Sequence, residues 1–200
     1  MQGRLLRSFL AAALSCAVFA IAAAGASGAV GVGQAAALEQ PTARQALAAG
    51  SCPAGVGLDA PAALQEEAMR CLVNQTREER GLPPLADSPS LRSSALDKGR
   101  DLLDCNEFSH TACGREFSFW IRESGYTAAE CWRVGENLAW GVDEQGTVDS
   151  ILRAWMRSPT HRANILGDFA ELGIDLRVGK LGGLPGVHLW VQHFGTHCGN

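Results

Sequence analysis

No two cysteines of this 200-residue chain stand in C-x-x-C spacing, so a thiolate zinc site or a thioredoxin-like redox pair has no foothold. H-E-x-x-H, G-x-S-x-G and the P-loop lysine are also missing, which removes the strongest support for the usual hydrolase and nucleotide-binding readings. Lysine and arginine form no stripe, and the formal charge is −4. Setting aside Arg4 and Arg7 makes it two units more negative, so the chain has no overall attraction to nucleic acid or to an anionic membrane surface. The first 50 residues are too poor in aromatic and branched apolar side chains to build a core, and one domain is expected from the remainder.

What the N-terminal stretch does carry is an export pattern. Arg4 and Arg7 precede an apolar run from Phe9 to Ala24, and small-residue sites follow at Ala23-Ala24-Gly25-Ala26 and Gln34-Ala35-Ala36-Ala37. The run is short and alanine-rich for a bilayer-spanning helix, so residues 1–37 read as a signal peptide cleaved between 26 and 37, with no stable transmembrane span afterwards. Cys16 sits in a poor lipid-attachment context and leaves with it. Residues 38–60, rich in Ala, Gly and Pro, read as a flexible spacer, and residues 61–200 as the folded domain. Cys52, Cys71, Cys105, Cys113, Cys131 and Cys198 remain, an even set in an oxidising compartment, and three disulfides are expected. Only Cys105 with Cys113, closing a short loop around His110, is singled out as a pair, while Cys52 is placed to tie the spacer to the domain.

Leu64, Ala68, Cys71 and Leu72 follow helical spacing from Pro61, and Gly81 supplies a stop. Ser88-Pro89 opens a second helix to about Leu103, the serine hydroxyl serving as cap. A shorter helix is predicted over Arg115 to Ser124, then a strand around Gly135 to Trp140, a helix after Gly146-Thr147 and a helical turn from Ser158-Pro159 to Leu166. Two strands, Leu172 to Val178 and Val187 to Phe194, are joined by a glycine-rich hairpin turn. Helices flanking a small antiparallel sheet make an α+β domain. Trp140, Trp155 and Trp190 are most simply core, with an aromatic on a cleft wall as the alternative, able to stack on a sugar or lipid ring. The Asn74-Gln75-Thr76 sequon reads as ordinary helix surface.

Three polar residues stand in unusual contexts. His110 follows the second helix in a loop between two cysteines, where an imidazole can bind metal, shuttle protons or serve structure alone. Glu136 lies in the apolar strand Val134-Gly135-Glu136-Asn137-Leu138-Ala139-Trp140; a buried carboxylate there needs a partner, or is a metal ligand or a base whose pKa burial has raised. His161 occupies the first turn of a short helix, whose free amides favour the neutral imidazole. Arg162 and Asn164 hold the neighbouring loop. His193 alternates with Leu189 and Val191 and reads as a core or cleft-rim histidine rather than a ligand.

Taken in order, Asn74 through Leu85, Phe108-Ser109-His110, Gly135-Glu136-Asn137-Leu138-Ala139, Trp155 through Leu166 and Val191 through Gly195 resemble a bacterial member of the CAP superfamily, the SCP-like domains related to cysteine-rich secretory proteins, antigen 5 and pathogenesis-related proteins. The resemblance covers residues 65–195. It implies an α-β-α sandwich whose cleft brings together His110, Glu136 and His161, with Ser158 where many eukaryotic members place a second Glu. Two His and one Glu would suit a divalent, zinc-like ion with an open position. The function so implied is a secreted or cell-envelope binding module for an extracellular ligand, whether lipid, cell-wall glycan or protein. The competing expectation is a metal-dependent hydrolase with Glu136 as catalytic base, and a third is a structural envelope protein.

Overall fold

The computed structural model describes residues 52, 53 and 56–198; the signal region, Cys16 and the spacer through residue 51 lie outside the described residues. Helix α1, Ala62–Glu78, buries Ala68, Met69 and Val73 on the face turned to the sheet. Gly81, with φ +71°, takes the left-handed conformation that ends the helical run and turns the chain into an extended link. Asn74 pins that link from both sides: its Nδ2 donates to Leu85 O at 3.0 Å and its Oδ1 accepts from Leu85 N at 2.8 Å. The sequon asparagine is therefore committed to the backbone, not an ordinary surface residue. Packing also begins earlier than expected. Val56 is buried in the core, and Gln65 donates to Leu58 O and Ala60 O.

A two-residue strand β1, Ala86–Asp87, leads into helix α2, Pro89–Asp104. Proline occupies the first turn as expected, but the Ser88 hydroxyl makes no capping bond. Ser88 is instead buried at the end of β1, where its N–H donates to Leu172 O at 3.1 Å. Helix α3 covers only Phe119–Glu123, because Arg115 is extended and its guanidinium reaches back to Asp101 Oδ2 at 3.0 Å. Strand β2 is Trp132–Gly141, helix α4 Val148–Arg157 and helix α5 Pro159–Ile165; strands β3, Glu171–Leu181, and β4, Leu184–His197, complete the chain.

The strand order is β1-β3-β4-β2. β3, β4 and β2 are antiparallel, as expected, while β1 adds a short parallel strip against β3. Gly182 and Gly183, both at positive φ, tighten the expected glycine loop to a two-residue turn. Helix α2 covers one face, packing Ala95 and Leu102 against Leu138, Val187, Leu189 and Val191. It comes so close that a Cβ on Gly173 would overlap the Leu91 backbone. Helices α1, α4 and α5 cover the other face around Trp155, Leu172, Trp190 and Phe194. Each such side chain, fully buried, contributes about 1.5–3 kcal/mol. The result is an α-β-α sandwich with β2 at one outer edge.

Trp155 and Trp190 are core, their indole N–H groups donating to Leu138 O and Gly146 O. Trp140 is not: it is 40 % exposed at the end of β2, with Phe108 edge-on at a centroid distance of 6.5 Å. Disulfides join Cys105 to Cys113, Cys52 to Cys71 and Cys131 to Cys198, the last tying the start of β2 to the end of β4.

Candidate functional site: the histidine edge of β2

Consecutive residues of a strand point to opposite faces, and Glu136 and Asn137 use that rule to draw in elements from both layers. On the α2 side, Glu136 Oε1 accepts from His110 Nδ1 at 2.6 Å, and Oε2 from His193 Nε2 at 2.9 Å. On the other side, Asn137 Nδ2 donates to His161 O at 3.1 Å and to Gln192 Oε1 at 3.2 Å, which anchors the first turn of α5. Asn164, later in α5, donates to Glu136 O and Asn137 Oδ1. Two histidine-bearing segments thus meet the edge strand from opposite layers. Asn164 also covers the outward Glu136 carbonyl, as the Trp155 indole covers that of Leu138.

The burial of this group is graded. His193 and the Glu136 carboxylate are enclosed, at 0 % and 1 % side-chain exposure, whereas His110 is 56 % exposed. Burial pushes the Glu136 carboxyl up, but the hydrogen bonds from His110 and His193, with the charges of His193 and Lys98, outweigh it and hold the group below the ordinary 4.5. This replaces the expectation of a base raised by desolvation. Burial holds the His161 imidazole below its ordinary pKa, and the charge of His110 acts in the same direction.

Helix α2 supplies the support that sequence inspection missed. Ser94 Oγ donates to Leu91 O at 2.8 Å and meets His193 Nδ1 at 2.7 Å. One turn on, Lys98 is buried and donates from Nζ to His110 O at 2.8 Å; burial lowers its pKa, opposed chiefly by Glu136. Asp101 then accepts from Arg115 and from the Trp120 indole. Ser94, Lys98 and Asp101 follow i, i+4, i+7 spacing, the pattern of an apolar stripe. Polar residues at those positions were the available signal.

The histidine, glutamate and serine of this chain have the composition of a hydrolytic triad but not its access. Ser94 is 0 % exposed and its hydrogen is spent on Leu91 O, so it offers no nucleophile. The expected metal set does not fit either. Both Glu136 oxygens accept from imidazoles, and among the described residues no three His, Cys, Asp or Glu side chains are arranged to hold an ion. Glu136 stands behind His110 rather than beside it. Ser158, at the α4–α5 junction, pairs its hydroxyl with Thr160 at 3.2 Å and contacts neither His110 nor Glu136 through a hydrogen bond. A separate cavity of about 200 Å³, lined by residues including Glu66, Arg70, Asp87 and Arg92, shares none of these side chains.

This arrangement has relatives. The family model of the cysteine-rich secretory protein family, CAP, matches residues 71–194, from the last turns of α1 to β4. The chain belongs to the CAP family. Among curated CAP-like relatives, YkwD of Bacillus subtilis is 33 % identical over 127 residues, which are 62 % of this chain and 44 % of YkwD. The chain therefore spans less than half the length of that protein. Solved structures share the CAP fold. An outer surface protein of Borrelia burgdorferi superposes with a TM-score of 0.57 at 18 % identity, covering 71 % of this chain and 99 % of that one. An extracellular protein of Bacillus anthracis containing an SCP domain gives 0.53 at 23 % identity, covering 65 % of this chain and 39 % of that one.

Proposed function

We propose that this CAP domain is an extracellular binding module, and that its ligand, a cell-wall glycan, docks along the outer edge of β2. One observation carries the reading. Phe108 and Trp140, 44 % and 40 % exposed, form an edge-to-face pair on the same strand and loop that present His110. Trp140 lies four residues from Glu136 on one strand face, and Phe108 two residues from His110, so the loop runs along β2 from aromatic pair to imidazole. A sugar ring offers an apolar C–H face to such rings and hydroxyls to an imidazole.

Export is supported by the signal pattern, by the three disulfides and by the extracellular relative from Bacillus anthracis. No helix among the described residues is long and apolar enough to cross a membrane. Hydrolysis at the same edge lacks comparable support, since Ser94 is inaccessible and Glu136 has no unengaged oxygen.

Co-sedimentation of the mature protein with purified cell-wall sacculi, and separately with phospholipid vesicles, tests the proposal. Binding to sacculi is expected to fall at least about fivefold in Trp140→Ala, which corresponds to about 1 kcal/mol or more for loss of an aromatic contact. Binding to vesicles alone, or sacculus binding indifferent to Trp140, overturns it.

A further inference from the structure

The hydrogens along the buried chain from Ser94 to His110 can be counted. Ser94 Oγ carries one, and it goes to Leu91 O, which can only accept. The 2.7 Å contact between Ser94 Oγ and His193 Nδ1 must then use the ring's hydrogen. Glu136, an ionised carboxylate, only accepts, so His193 Nε2 also donates, to Oε2; with both nitrogens donating, His193 is an imidazolium paired with that carboxylate. Oε1 is left to accept from His110 Nδ1. Whenever His110 is neutral, its single ring hydrogen is therefore on Nδ1, and Nε2, on the exposed side chain, is bare.

From this count we infer that His193, seated on Ser94, is a positioning residue: it keeps Glu136 an acceptor, fixes His110 as the Nδ1–H tautomer, and so turns a bare Nε2 toward a ligand group that brings a polar hydrogen. The reason is the cost of the alternative. Without a donor at Oε2, a carboxylate enclosed this far takes up a proton itself. A protonated Glu136 donates to His110 Nδ1, the ring's hydrogen moves to Nε2, and the edge changes from acceptor to donor. Lys98 holds the His110 backbone in place through either state, because it binds the carbonyl and not the ring. The hydroxyl-rich ligand of the proposed function suits the acceptor form, and only that match rests on the proposed function; the hydrogen count does not.

Nitrogen-15 NMR of histidine-labelled protein, at a pH where His110 is neutral, reads this directly. In the wild type the His110 hydrogen is expected on Nδ1, and a hydrogen on His193 Nδ1. Ser94→Ala is expected to lose the His193 Nδ1 hydrogen. His193→Leu is expected to exchange the two nitrogen signals of His110, while His193→Gln, whose amide can donate to Oε2, retains the wild-type pattern. A His110 hydrogen on Nε2 in the wild type overturns the inference, as does an unchanged His110 in His193→Leu. Should the leucine variant not fold, the wild-type and glutamine spectra still decide. Failure of glycan binding with this pattern intact would count against the proposed function alone.

Discussion

Glu66 reaches from α1 to accept the Leu176 N–H at 2.9 Å, and burial raises its carboxyl above the ordinary 4.5, with the Leu176 bond opposing and the Asp175 charge adding to the rise. The folded protein thus holds a proton on Glu66 more readily than the unfolded chain. Its contribution to stability is present below pH 4.5 and is lost as pH rises through the folded value. Glu66→Gln keeps the acceptor and removes the charge, so its urea midpoint is expected to exceed the wild type's at neutral pH and to lose that advantage below pH 4.5. Equal pH dependence in the two proteins would refute this. Glu136 has the opposite sign, because its paired carboxylate favours the fold above 4.5. A half-buried and an enclosed glutamate therefore act oppositely, the first held by one backbone amide and the second by two imidazoles.

Helix α2 both covers the sheet and carries the supports of the histidine edge, so its seating controls the site. Gly173→Ala is expected to push α2 off β3 and to cost about 1–3 kcal/mol, the usual penalty of overpacking. Because Ser94 and Lys98 ride on the same helix, thermal melting and the His110 NMR signals are expected to change together; a melting loss with unchanged His110 signals would separate fold from site. The elements themselves were legible where periodicity was long, as in α1, α2, β3 and β4. Boundaries shifted where distant partners intervene: β2 starts at Trp132 rather than Gly135 because its first residues pair with His197 and Thr196 beside the Cys131–Cys198 disulfide. His110, Glu136 and His161 stood out by context and motif order. Of their supports only the polar interruption of the α2 stripe was visible, since the partners of Ser94, Lys98 and Gln192 lie at separations that no local pattern encodes.

At the scale of the whole molecule, the disulfides divide labour between stability and placement. Cys131–Cys198 closes a 67-residue separation and Cys105–Cys113 one of 8. Loop-closure entropy assigns them about 4 and about 2.5 kcal/mol. Replacing Cys131 and Cys198 by serine is expected to give the larger loss in chemical denaturation, while replacing Cys105 and Cys113 costs less stability but broadens the His110 signals by freeing its loop. The reverse ranking would mean that the short bridge organises the core. The edge strand has a last consequence of its own. An open strand edge is a template on which further copies of a chain can polymerise, yet on β2 two of the carbonyls an incoming strand would need, those of Glu136 and Leu138, are already capped by Asn164 and Trp155. The protein can keep a working rim at the end of its sheet without recruiting its own copies to lengthen it.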